Sequence, residues 1–293
     1  MKLSRIVVGV DLCRPSVDAA RWTALEFAPD AEIVLVHAVD LPRPPRVVRG
    51  AMAPADRVVE NARLGARARL AELGSWVDET RVVTDVVVGH PSDCLVVAAD
   101  TRAADLLVVG GHGCERGAWE FLGTTAEHVV QESAVPVLVA RGPLSGPPLR
   151  ILAAVDPSSA GRRALSWAAF LGLRLNAEVV ALHAVQPVVH APVELIGVMP
   201  TDEMQEELTG DAERWLGDEA REACDGRASI ECRVSVGEPV DEIVEAIERE
   251  HADLTVIGSH GAPSPVGAVL GSIARAVLRG TNGPVLVVGP LGR

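Results

Sequence analysis

With 293 residues, the chain has room for one large domain or two of about 150. An apolar content of 48% supplies substantial cores, and aromatics at 3% leave those cores to Val, Leu, Ala and Ile. A formal charge of −13 argues against general affinity for nucleic acid or an anionic membrane, because no basic excess exists to displace counterions.

The N-terminal residues MKLSRIVVGVD read directly as a short strand, without the apolar helical stretch and cleavage site of a signal peptide. No uninterrupted apolar segment approaches the roughly 18–20 residues needed to span a bilayer. Strands are expected near 4–10, 32–38, 80–88, 105–109 and 136–140, with helices near 16–28, 56–73, 91–101 and 123–133 between them. Further strands follow near 150–155, 178–184, 229–236, 253–257 and 284–288. Runs such as Leu106-Leu107-Val108-Val109 are apolar on both faces, as strands of a parallel sheet covered by helices must be. In the helix beginning near residue 239, Ile243, Val244 and Ile247 share one face and Glu245, Glu248 and Arg249 turn elsewhere.

The chain is a duplication. Ile6-Val7-Val8-Gly9-Val10-Asp11 matches Ile151-Leu152-Ala153-Ala154-Val155-Asp156, and Val34-Leu35-Val36-His37-Ala38-Val39 matches Val180-Ala181-Leu182-His183-Ala184-Val185. Gly89-His90-Pro91 matches Gly237-Glu238-Pro239, Ala104-Asp105-Leu106 matches Ala252-Asp253-Leu254, and Pro136–Val139 matches Pro284–Val287. Two collinear domains are expected, residues 1–141 and 149–293, joined by the Gly/Pro-rich linker 142–148. Right-handed crossovers make each a doubly wound α/β domain. The last strand of each half should lie at a sheet edge, which makes pairing of the halves, or a homodimer, a natural arrangement.

Ligands of such sheets bind beyond the carboxyl ends of the strands. The repeated residues at those ends are Asp11 and Asp156, Gly110 and Gly258, and a glycine-hydroxyl spacing that recurs without change. It reads Gly110-x2-Gly113-x9-Gly123-Thr124 in the first half and Gly258-x2-Gly261-x9-Gly271-Ser272 in the second. Glycine lets the backbone turn and lets a phosphate approach, and the helix opening at Gly-[Ser/Thr] offers free N–H groups to an anion. The competing reading is an ordinary turn in which Ser or Thr caps the helix. Lys2 is the only lysine, so no Walker-type lysine exists and phosphate contacts rest on backbone and hydroxyl groups.

His37 and His183 fall inside apolar strands and read as core histidines. His112 and His260 sit between the motif glycines, where a protonated ring can meet a phosphate. Five cysteines form no CxxC pair, which suits a reducing cytoplasm, and no His/Cys cluster has zinc spacing. Cys13 and Cys114 lie on loops at the ligand end of the first half, where an incidental placement outweighs a redox role.

The blocks VGVD, LVHAV, Gly-x-Pro, ADLLVVG, G-x2-G-x9-G-[ST] and PVLVV together resemble the universal stress protein family, as a tandem pair over nearly the whole chain. The resemblance implies Rossmann-like, adenine nucleotide alpha hydrolase-like domains that bind ATP, with or without Mg2+. It implies that Gly9, Asp11, Ala154 and Asp156 border ribose and phosphates, and that Ala38 and Ala184 offer backbone groups to adenine. Gly110, Gly113, Gly123, Thr124 and Thr125 would hold the triphosphate in the first half, and Gly258, Gly261, Gly271, Ser272 and Ile273 in the second. The first nine-residue stretch carries Glu115 and Glu120 and the second is uncharged with two prolines, so unequal sites are expected, the second tighter. Three functions fit: a nucleotide-responsive regulator acting on a protein partner, a slow ATP hydrolase, and an electron-transfer flavoprotein-like adenine-cofactor protein. No general base, arginine finger or metal-binding carboxylate pair recurs in both halves, which ranks the hydrolase below the binding protein.

Overall fold

The computed structural model describes residues 1–40, 53–74, 81–111, 122–187, 201–227, 229–261 and 270–289. They form two units, Lys2–Gly146 and Pro147–Arg293. The first unit runs β1 (Arg5–Gly9), α1 (Arg14–Trp22), β2 (Glu32–Val39), α2 (Ala53–Gly74), β3 (Val82–Val88), α3 (Pro91–Thr101), β4 (Leu106–Gly110), α4 (Thr124–Glu132) and β5 (Val137–Ala140). Its strands pair in the order β3-β2-β1-β4-β5, every pair parallel. The second unit runs β6 (Arg150–Ala154), α5 (Ser159–Leu175), β7 (Glu178–Val185), α6 (Asp202–Cys224), β8 (Glu231–Val236), α7 (Pro239–Arg249), β9 (Leu254–Gly258), α8 (Ser272–Gly280) and β10 (Val285–Val288). It repeats the order as β8-β7-β6-β9-β10, again parallel throughout.

The all-apolar runs occupy the central strands. Ile6, Val7 and Val8 of β1 and Leu106, Leu107 and Val108 of β4 are fully buried, as expected for strands covered on both faces. On α7, Ile243 and Ala246 face the core and Glu245, Glu248 and Arg249 are exposed.

One helix differs from expectation. The segment expected near 16–28 begins at Arg14, with Pro15 in its first turn, and gives way at Thr23–Phe27 to a single π-helical turn. The buried Thr23 hydroxyl donates to Ala19 O at 2.7 Å, and Ala28 N bonds back five residues to Thr23 O at 2.9 Å. A side chain competing for a helix carbonyl is a recognised cause of such a turn.

The repeated Ala-Asp-Leu block has a structural role at the end of the sheet away from the glycines. Asp105 Oδ2 accepts from Ser4 N at 2.6 Å and Arg5 N at 3.0 Å, and Asp253 Oδ2 accepts from Leu149 N at 2.9 Å and Arg150 N at 3.0 Å. Each carboxylate thus satisfies the backbone donors that open the first strand of its unit. Beside this clamp, Arg5 pairs with Glu32 at 2.8 Å, and Arg150 pairs with Glu178 at 3.0 Å and Glu250 at 2.7 Å. Burial pulls the Glu250 carboxyl upward, but the hydrogen bond and charge of Arg150, with help from Arg249 and Arg233, outweigh it and hold the pKa below the ordinary value.

Candidate functional site

In the order β3-β2-β1-β4-β5 the chain reverses direction across the sheet between β1 and β4, and in the second unit between β6 and β9. A crevice opens there at the carboxyl ends of the strands. In the second unit a cavity of about 240 Å³ fills it, lined by Ala154, Asp156, Ala184, Gly258, Gly261, Gly271, Ser272 and Ile273 together with an apolar floor of Leu182, Pro239, Ile243 and Ile257. In the first unit a cavity of about 280 Å³ is lined by Gly9, Asp11, Ala38, Gly110, Gly123, Thr124 and Thr125, with Val36, Pro91, Leu95 and Val109 as its apolar floor. Gly113, His112, Cys114 and most of both nine-residue stretches lie outside the described residues.

The backbone explains the glycines. Gly271 N donates to Ser259 O at 2.8 Å, and Gly123 N to Gly111 O at 2.8 Å, so one hydrogen bond closes each loop onto the end of its strand. A Cβ on Gly271 would stand 3.2 Å from Ser259 O, and one on Gly258 would stand 2.9 Å from the carbonyl carbon of Ala160. A Cβ on Gly261 would stand 3.1 Å from Asp156 Oδ2, so the second motif glycine lies directly against the aspartate at the end of the first strand. The spacing therefore brings Asp156, Gly261 and Gly271 to one wall.

The capping reading fails on the helix starts. Glycine itself is the N-cap of α4 and α8, no side chain caps either helix, and Thr124 and Ser272 are the first helical residues. By contrast, Ser158 caps α5 by accepting from Gly161 N, and Thr201 caps α6 by accepting from Met204 N. Hydroxyl caps thus occur at α5 and α6, while the two cradle helices start without one, as α1, α3 and α7 also do. First-turn N–H groups without an intrahelical partner, hydroxyls beside them and the positive end of the helix dipole together favour an anion.

Each aspartate is oriented from within its own unit. Asp11 Oδ1 accepts from Ser16 Oγ at 2.5 Å and from Cys13 N at 2.9 Å. Asp156 Oδ1 accepts from Ser158 Oγ at 2.5 Å, and that hydroxyl lies 3.2 Å from His260 O. His260 Nδ1 lies 2.7 Å from the hydroxyl of the buried Ser259, which fixes the ring at the cavity wall. The strand histidines are partly buried and anchored as core histidines are, with His37 Nδ1 donating to Val10 O and His183 Nδ1 to Val155 O, each at 2.7 Å. His183 also lines the cavity and stacks edge-on against Trp215, ring centres 5.0 Å apart. The cations near the cradles are arginines. Arg162 is held above its ordinary pKa by its hydrogen bond to Glu219, with a smaller contribution from Asp156, while burial lowers Arg141, whose Cβ is 2.9 Å from where a Cβ on Gly111 would be.

The residues that sequence reasoning missed are the apolar floor and Ser16. The Gly-x-Pro repeat was a signal for the floor, because Pro91 and Leu95, and Pro239 and Ile243, are one helical turn apart. Among the described residues no helix is long and apolar enough to cross a membrane, and no group of three potential metal ligands occurs.

Comparison with known proteins agrees with the duplicated architecture. The universal stress protein family matches twice, over residues 2–141 and 149–289. A universal stress protein of Mycolicibacterium smegmatis is 30% identical over 298 residues, covering 97% of each chain, and one of Mycobacterium tuberculosis is 27% identical over 96% of this chain and 95% of its own. Among solved structures, a universal stress protein from Archaeoglobus fulgidus shares the fold with a TM-score of 0.69 at 19% identity, covering 99% of this chain and 100% of its own. The chain belongs to the universal stress protein family, whose domain it carries twice.

Proposed function

We propose that the chain is an ATP-binding regulatory protein with one adenine-nucleotide site in each of two domains, 1–141 and 149–293. The observation that carries this reading is the pair of uncapped helix starts, α4 and α8, each facing a cavity whose other walls are an oriented aspartate and an apolar floor. The apolar floor suits the flat face of a base, and backbone groups at Ala38 and Ala184, near the carboxyl ends of β2 and β7, suit its polar edge. Asp11 and Asp156 suit a ribose or the water shell of a Mg2+ ion, and the helix starts with Thr124, Thr125 and Ser272 suit the phosphates. With no lysine at either cradle the sites favour binding over phosphoryl transfer, and a nucleotide that binds only the folded state adds RT ln(1 + [L]/Kd) to stability. Occupancy then acts as the signal read by a protein partner. The second site is the tighter of the two, because its nine-residue stretch carries no carboxylate.

Purifying the protein without added nucleotide, denaturing it and identifying the released small molecules tests the reading. One or two equivalents of adenine nucleotide support it. Released flavin would replace it with a cofactor-binding role, and an empty protein whose melting temperature ignores millimolar ATP and Mg2+ would overturn it.

A further inference from the structure

The first unit carries at the rim of its cavity a pair of histidines that the second unit lacks. His90 is the N-cap of α3, directly before the cavity residue Pro91, and His128 lies on α4, three residues after the cavity residue Thr125. Both side chains are exposed, with ring centres 6.3 Å apart and planes inclined by 51°. The matching positions of the second unit hold Glu238 and Ala276.

We propose that His90 and His128 form a two-imidazole site for a divalent transition-metal ion such as zinc, copper or nickel. Imidazoles bound to one ion at about 2.1 Å place their ring centres about 5–6 Å apart, so a small rotamer adjustment of two exposed side chains closes the present gap. His90 is already arranged as a ligand. Its Nδ1 lies 2.8 Å from the hydroxyl of Ser92, a buried residue, and Ser92 Oγ lies 3.4 Å from Asp93 Oδ1. With the proton on Nδ1 the ring donates to Ser92, the hydroxyl turns toward the carboxylate, and Nε2 keeps its lone pair for a metal. Such an outer partner fixes the tautomer and raises the basicity of a ligating histidine.

The surrounding charge favours a cation. Burial and then the charges of Asp93 and Asp40 raise the pKa of Cys94, which places both carboxylates in electrostatic reach of the turn that carries His90. They oppose the positive end of the α3 dipole. Among the described residues no third His, Cys, Asp or Glu joins the pair, so water or an anion completes the coordination. Imidazole donors select d-block ions over magnesium, which takes oxygen ligands.

The experiment is titration of the full chain with zinc at neutral pH, paired with copper electron paramagnetic resonance. The expected result is one zinc equivalent whose affinity falls at least tenfold in His90→Ala and in His128→Ala and is unchanged in Cys94→Ser, with circular dichroism melts confirming that all three fold. Copper bound to the parent should show coupling to two ring nitrogens, and to one in either histidine variant. Zinc affinity that is absent, indifferent to both histidine variants, or lost only in Cys94→Ser would overturn the site.

Discussion

The two cradles hold the same aspartate with different serines. In the first, Ser16, five residues beyond Asp11, holds its Oδ1; in the second, Ser158, two residues beyond Asp156, does so. The exchange is reciprocal, because Gly161 stands at the position of Ser16 and Cys13 at that of Ser158. A Cβ on Gly161 would lie 2.2 Å from Asp156 Oδ1 and 2.3 Å from the Asp156 carbonyl oxygen, so no serine fits there. The intervening residue differs too, with Leu12 at φ +65° in the first unit and Pro157 in the second. What the duplication has kept is the orientation of a carboxylate, while the residue that enforces it has moved along the chain.

Placing serine at both positions of the second unit should break this equivalence most severely. Gly161→Ser is expected to destabilise that unit by about 3 kcal/mol, since backbone and carboxylate both obstruct the new side chain, and thermal denaturation reads the loss. Next comes Gly261→Ala, whose methyl would press on Asp156 Oδ2. Titration calorimetry should then show nucleotide stoichiometry falling from two to one while the first cradle keeps its affinity. Equal losses in both cradles would mean that they are not separate sites. Ser16→Ala and Ser158→Ala should each weaken only their own cradle, by roughly tenfold for a lost hydrogen bond of about 1.4 kcal/mol.

Smaller effects separate the frameworks of the two units. Glu250 has no acidic equivalent in the first unit, where Arg102 stands and offers Arg5 only its carbonyl oxygen at 2.7 Å. Because the folded pKa of Glu250 is lowered, its contribution is present above the unfolded value of about 4.3 and is lost as pH falls below it. The second unit should therefore lose stability through this window, and Glu250→Gln should remove that dependence at about 1–2 kcal/mol near neutral pH. The smallest change is a gain. Leu12→Gly should stabilise the first unit by up to about 1 kcal/mol, because a left-handed backbone costs a branched residue more than the added chain entropy of glycine.

Much of this was legible because the chain states it twice. Buried β4 was readable from its unbroken apolar run and β9 from a run interrupted only by Thr255, and the glycine spacing marked both cavities because its glycines line them, with Gly258 and Gly271 close against neighbouring backbone. Ser16 was invisible for the opposite reason. Its role depends on a loop conformation that Leu12 permits and Pro157 does not, so aligning the halves shows only a mismatch. The π turn at Thr23–Phe27 escaped because one hydroxyl decides it against a helical pattern that otherwise continues. The His90–His128 pair escaped because residues 38 apart meet only across the α3–α4 packing.

The aspartate clamp at the far end of each sheet has a consequence for synthesis. β1 is made first and sits at the centre of its sheet, yet the carboxylate that holds its opening amides is 101 residues from Ser4, and in the second unit the same reach is 104 residues from Leu149. A nascent chain must therefore carry its earliest strand unclamped until the entry to the fourth strand has left the ribosome. Contacts of such sequence separation slow folding and prolong the exposure of apolar strands. In each half the central strand, although made first, is thus among the last to have its opening amides satisfied.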